Sequence, residues 1–215
     1  MRKGFLLIAV IAFGIFTAAS AMASPICNGA TKNLVANCGF ETGDLTSWII
    51  SGNTANPGGN YYGVDGFDAN SGNYGAYMSE DAIDGGTSPV VLSQILTTKV
   101  GDVYQITFSL EQDTAPDGTT VHTFDSSFGG AALLDLAPTA GSPGSVGVFN
   151  QYTFTETATS TSTDLSFSFR NDDWYWSFDD VSVVDTSVPA PEPSSCVLMG
   201  AAVLALAGLK RITAA

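Results

Sequence analysis

Two carboxylates that need a neutralising partner mark the chemical centre of this sequence. In residues 162–185, STDLSFSFRNDDWYWSFDDVSVVD, Asp179 and Asp180 stand side by side where an alternating apolar pattern changes parity. Adjacent carboxylates repel, and a buried charge without a partner is costly. The pair therefore requires a cation, or donors brought from another segment, and the natural source is residues 33–48, NLVANCGFETGDLTSW. A second chemistry is offered by aromatic rings, which stack on sugar faces while a polar rim bonds hydroxyls. Trp174, Tyr175 and Trp176 sit beside a turn, and Tyr61, Tyr62, Tyr74 and Tyr77 border a long Gly/Asn-rich stretch. Alternation sends Trp174 and Trp176 to the core and Tyr175 outward, so Tyr175, Tyr61 and Tyr62 are the candidates for ligand contact.

Other chemistries are poorly supplied. His122 is the only histidine and no G-x-S-x-G occurs, so a Ser-His-Asp site lacks its elements and His122 reads as structural. One histidine and one cysteine couple do not make a usual zinc set. Carboxylate pairs for glycoside hydrolysis exist by count, but no spacing selects one. Residues 65–72, DGFDANSG, look superficially like a calcium loop; they lack the glutamate of an EF-hand and read as turns. Residues 157–163, TATSTST, form one short threonine run without the repeat that an ice-binding face needs.

These residues must be positioned by strands. Leu165, Phe167 and Phe169 alternate with Ser166, Ser168 and Arg170, the period of a half-buried strand. Asn171, Asp172 and Asp173 supply turn chemistry. Trp174, Trp176 and Phe178 then share one face until the parity flip at Asp179–Asp180, beyond which Val181 and Val183 are apolar, and this predicts a β-bulge. Further strands are expected over 33–36, 47–51, 74–79, 90–98, 103–112, 121–124, 131–136 and 149–157, with 52–75 a long surface loop and Trp48 a core anchor. No body segment carries a long helical period. Many short strands at this spacing predict an all-β antiparallel sandwich.

The chain of 215 residues has one-domain length once its ends are set aside, and its 21 acidic against 7 basic residues give a net charge of −14. Only Lys32, Lys99 and Arg170 are basic between residues 24 and 187. Such a body repels phosphate backbones, which argues against nucleic acid. Residues 1–23 read as a secretory signal: Arg2 and Lys3, an apolar core over 5–16, then Ala21-Met22-Ala23. Export permits disulfides, and Cys27 with Cys38 is the expected bridge, free thiols being the alternative. After the body of residues 24–187, the proline-rich stretch at 188–193 leads to fourteen apolar residues, 196–209, expected as a short helix, and then Lys210-Arg211. That run is short for a permanent span, and the basic pair favours a cytoplasmic end.

Two resemblances follow from these motifs. N-L-V-x-N-x-G-F-E-T-G-D-x-x-x-W and F-R-N-D-x-x-Y-W-x-x-D-D-V-S-V resemble carbohydrate-binding-module-like, galactose-binding-like jelly rolls. In calcium-binding members, the glutamate after Gly-Phe and an aspartate of Asp-Asp-Val hold a structural ion, which implies Glu41 and Asp180 as calcium ligands here. Cys38 departs from that pattern, where a small residue is more usual. The tail, Pro191-Glu192-Pro193 followed by the apolar run and Lys210-Arg211, resembles a PEP-CTERM sorting signal, also catalogued as an ice-binding-protein C-terminal domain. It implies transient retention in the inner membrane, an exosortase-type processing enzyme, and release to the cell surface or matrix. The expected function is a non-enzymatic partner of extracellular polysaccharide, with an ice-binding or adhesion protein as the alternative and a glycoside-active enzyme as the second.

Overall fold

The computed structural model describes residues 26–30, 32–52, 54, 62–79, 88–115, 117–138, 146–172 and 174–187. The expected signal segment, the tail with Pro191, Glu192, Pro193, Lys210 and Arg211, and Tyr61 lie outside the described residues. Among the described residues, no helix is long and apolar enough to cross a membrane.

Two five-stranded sheets face each other, and every strand pairing within them is antiparallel. One contains β1 (Ile49–Gly52), β4 (Val90–Thr97), β9 (Ser162–Asn171), β6 (His122–Phe128) and β7 (Ala131–Leu136), in that spatial order. The other runs β2 (Tyr62–Asp65), β3 (Gly75–Met78), β10 (Trp176–Asp185), β5 (Val103–Gln112) and β8 (Asn150–Thr157). The last two strands among the described residues, β9 and β10, are therefore the middle strands of the two sheets.

The period of two builds the core. Tyr104, Ile106, Phe108 and Leu110 of β5 and Leu165, Phe167 and Phe169 of β9 all point inward. Phe178 of β10 lies between them, its ring centroid 4.6 Å from Phe167, 5.3 Å from Phe169 and 5.8 Å from Phe108. Trp48 is the expected anchor: it stacks on Phe40 at 5.7 Å and donates its Nε1–H to the Asn37 carbonyl at 3.2 Å.

The parity flip is a bulge. Asp179 pairs with Ser109 but Ser182 pairs with Thr107, so one extra residue is accommodated, and Asp180 takes φ 55° to do it. The bridge between Cys27 and Cys38 forms, with Cα atoms 6.0 Å apart. It ties a short 3-10 turn, Ile26–Gly29, to the segment that lies against the bulge.

Three expectations are corrected. Residues 33–36 do not form a strand; Leu34 gives one N–H to Val183 at 2.9 Å, and the Gln94 side chain then replaces a strand partner. Its Oε1 accepts the Ala36 N–H at 2.8 Å and its Nε2 donates to the carbonyls of Ala36 and Ser47, both at 3.1 Å. Trp174 does not face the core: β10 starts only at Trp176, and Trp174 sits in the preceding turn with its N–H on Asn171 Oδ1. Finally, the stretch expected to be a surface loop contains β2 and, after it, a segment folded back onto the sheet.

Candidate functional site

That folded-back segment, residues 66–74, creates the polar centre on the outer face of the second sheet. A Cβ on Gly75 would collide with the Asp68 carbonyl, so the absent side chain lets the loop lie against β3. The loop supplies the donors that the Asp179–Asp180 pair requires. Asp179 Oδ2 accepts the N–H groups of Asn70 (2.9 Å) and Ser71 (3.0 Å). Asp180 accepts from the Asn70 side-chain amide (2.8 Å), Ser71 Oγ (2.7 Å) and the Cys27 N–H (3.3 Å). The expected donor segment, residues 33–48, instead receives the Val181 N–H at the Cys38 carbonyl. Burial and then the neighbouring Asp180 push the Asp179 carboxyl up to about 8, against the donors that pull it down.

Glu41, the other residue implied as a calcium ligand, holds the far end of the same loop. It accepts from Asn73 N–H (2.7 Å), Asn73 Nδ2 (3.0 Å) and Tyr74 N–H (3.1 Å). Glu41 and Asp180 thus anchor successive parts of one loop, each through hydrogen-bond donors. Among the described residues, no three His, Cys, Asp or Glu side chains gather into a metal centre. The groups around the aspartate pair that carry oxygen, Ser71 Oγ and the Asn70 amide, are of the type a hard cation takes.

Beside this centre lies a second cluster. Strand register sets Tyr77, Ser177 and Glu111 in one row across β3, β10 and β5. Ser177 Oγ contacts both Asp68 Oδ1 and, at 2.9 Å, Asp113 Oδ1. One hydroxyl has one hydrogen to donate, so a proton on one of the two carboxyls completes the second bond. Burial pushes Asp68 up to about 7 and raises Asp113 as well, so the pair favours holding that proton. Tyr77 lies over β2: its phenol end occupies the space that a side chain at Gly63 would fill. Its ring meets Tyr175 edge-on at 5.2 Å, and Tyr175 meets Trp174 at 5.7 Å. With Trp174 56% exposed, the three rings form an aromatic strip open to solvent and bordered by carboxyls.

Of the rings chosen from sequence as ligand contacts, Tyr175 belongs to this strip. Tyr62 does not: it pairs with Met78, faces inward and packs against the core. His122 is buried, with Nδ1 3.0 Å from Gln112 Nε2 and Nε2 3.0 Å from Thr120 Oγ. The threonine run 157–163 connects β8 to β9, and Ala158 and Thr163 in it are buried, so it presents no flat face. Sequence reasoning named Tyr77 beside the long stretch without choosing it as a ligand contact, and it missed the Asp68–Ser177–Asp113 contact. The available signal for Tyr77 was its parity in Gly-Ala-Tyr-Met, opposite to Ala76 and Met78; nothing local marks Asp68.

The fold is similar to that of the carbohydrate-binding module TmCBM61, solved in complex with β-1,4-galactotriose, at TM-score 0.51 and 19% identity over 72% of this chain and 99% of that one. This likeness establishes a jelly-roll sandwich. A family 16 carbohydrate-binding module aligns at TM-score 0.48 with 15% identity, covering 71% of this chain and 100% of the other. The cleaved K1 adhesin domain of Lys-gingipain from Porphyromonas gingivalis W83 aligns at 0.49 with 19% identity, covering 69% and 96%. No protein-family model and no curated protein matches the chain.

Proposed function

We propose that this chain is an exported, non-enzymatic β-sandwich that binds polysaccharide outside the cell through the Tyr77–Tyr175–Trp174 strip. The observation that carries the reading is the placement of three linked rings, Tyr77 on β3 and Tyr175 and Trp174 in the turn before β10, beside Ser177, Asp68 and Asp113. Rings of this kind cover the apolar face of a pyranose, while carboxyls and hydroxyls bond its rim. The module solved with β-1,4-galactotriose supplies a first probe. In affinity electrophoresis through β-1,4-galactan, xylan and mixed-linkage glucan, Tyr175→Ala should lower affinity for whichever polymer retards the parent by about tenfold or more, close to 1.4 kcal/mol. Equal retardation of parent and variant by that polymer removes the strip from the reading.

A structural calcium ion belongs to the same proposal. Its ligands are Glu41 and Asp180, whose carboxylate oxygens suit a hard cation and which hold neighbouring parts of the 66–74 loop.

The sorting part of the proposal rests on the two ends of the chain. Residues 1–23 direct export, and the proline-rich stretch holds the apolar run away from the sandwich, because proline fixes φ and disfavours helix just before it. That run buries in the inner membrane until an exosortase-type enzyme cuts near Pro191-Glu192-Pro193 and frees the body to the surface. Replacing those three residues with alanine should make the full-length form accumulate in the membrane fraction. Release of mutant and parent in equal amounts would instead indicate that the motif has no part in processing.

A further inference from the structure

The most exposed large apolar side chain of the described residues is not in the aromatic strip. Phe67 is 98% exposed, at the tip of the loop that folds back over the second sheet. An exposed phenylalanine on a loose loop carries no information, since loops turn their side chains freely. This loop is held on both sides of the ring. Asp65 Oδ1 accepts the Phe67 N–H at 2.7 Å and the Asp68 N–H at 3.3 Å, and the Asp68 side chain is buried against Ser177. Three residues further on, Asn70 and Ser71 are fastened to Asp179 and Asp180. The backbone under Phe67 is therefore fixed before any partner arrives, and binding through the ring pays little ordering entropy.

We infer that Phe67 is a ring-stacking platform for an uncharged pyranose residue, an additional contact on the polysaccharide that the Tyr77–Tyr175–Trp174 strip binds. The inference rests on the glycan reading above and deepens it by naming the class of sugar. The immediate neighbours decide the charge. Asp65 flanks the ring, the chain carries a net charge of −14, and no lysine or arginine occurs between residues 62 and 79. A uronate or sulfated unit set over Phe67 would be repelled by Asp65 and by the chain's net negative charge, whereas the hydroxyls of a neutral sugar can donate to the Asp65 carboxylate. The same acidity opposes an anionic lipid surface.

The test uses the full 215-residue chain in mild detergent, with parent, Phe67→Ala, Phe67→Trp and Tyr175→Ala compared on soluble β-1,4-galactan, xylan, mixed-linkage glucan and polygalacturonate. The expected result is retention by at least one neutral polymer, loss of about tenfold or more in Phe67→Ala, retention of binding in Phe67→Trp, and no retention by polygalacturonate. Because Phe67 makes no core contact, its variants should keep the parent's melting temperature. If Tyr175→Ala loses binding while Phe67→Ala keeps it, the Phe67 platform is overturned and the glycan reading stands. Retention by polygalacturonate as strong as by the neutral polymers overturns the neutral class. No retention of the parent by any polymer overturns both readings. Concentration-dependent dimers of the parent that Phe67→Ala abolishes would assign the ring to a second copy of the chain and overturn the sugar platform.

Discussion

The melting temperature of the body should fall as pH rises from about 4 to about 8, and Asp179 should account for most of the slope. Its carboxyl is buried against Asp180 and raised to about 8, whereas in the unfolded chain it titrates near the ordinary aspartate value. The folded state therefore holds a proton that the unfolded state has released. That stabilisation is fully present below about pH 4 and drains away as pH climbs through the folded-state value. Asp68, raised to about 7, adds a loss of the same sign. General repulsion in a chain of charge −14 acts in the same direction, so the comparison belongs at high salt, where that background is screened. Asp179→Asn should flatten the slope whatever its absolute stability. A slope unchanged by the substitution would show that Asp179 is ionised in the folded state throughout. Calcium provides the complementary arm: an ion at the aspartate pair favours the ionised form, so adding it at pH 8 should restore the melting temperature and chelator should reverse the gain. Curves insensitive to calcium would remove the ion from the proposal.

Removing the Cys27–Cys38 bridge should destabilise the body by on the order of 2–4 kcal/mol in the chain-entropy picture, measured as the shift in urea midpoint for the Cys27→Ala/Cys38→Ala double variant. The bridge closes a loop of 11 residues in sequence separation, which sets the scale. Its position gives it added consequence. The Cys27 N–H bonds to Asp180 and the Cys38 carbonyl takes the Val181 N–H, so both ends of the bridge grip the bulge. The double variant should therefore also respond more steeply to pH above about 7, because a bulge held less firmly tolerates an ionised Asp179 less well. Both thiols should resist alkylation in the folded chain until reduced. Labelling of either cysteine in the unreduced folded chain, or a double variant as stable as the parent, would refute the assignment.

Strand content was legible because each half-buried strand repeats its pattern locally. Residues 103–112 and 162–171 alternate in register with what the core needs, and the bulge announces itself as a parity change between Phe178 and Val181. The donors for the aspartate pair were not legible in the same way. Residues 66–74 look like any Gly/Asn/Asp-rich turn, and what makes them part of the site is their return over β3, a tertiary event permitted by the missing side chain at Gly75. Trp174 failed for a related reason. Alternation was extended two residues past the true start of β10, where Asn171 had already captured the Trp174 N–H for the turn. Tyr62 shares its parity with Val64, and both lie against the core, a placement that its proximity to a polar loop obscured in the sequence.

The order of strands within the sheets has a consequence for how this chain comes into being. β9 separates β4 from β6 in one sheet, and β10 separates β3 from β5 in the other. A growing polypeptide that has reached residue 157 thus owns the flanks of both sheets and the centre of neither. Its hairpin of β6 and β7 and its pairing of β5 with β8 can assemble, but the ring of phenylalanines closes only when Phe167, Phe169 and Phe178 arrive. Vectorial synthesis cannot lock this sandwich in stages, since the contacts that complete it span most of the sequence and are slow to find. The nascent chain stays pliable until its last thirty or so residues before the tail are available. Under the export proposed above, that delay is an asset: there is little finished structure to dismantle on the near side of a translocation pore, and the final two strands seal the fold on the far one.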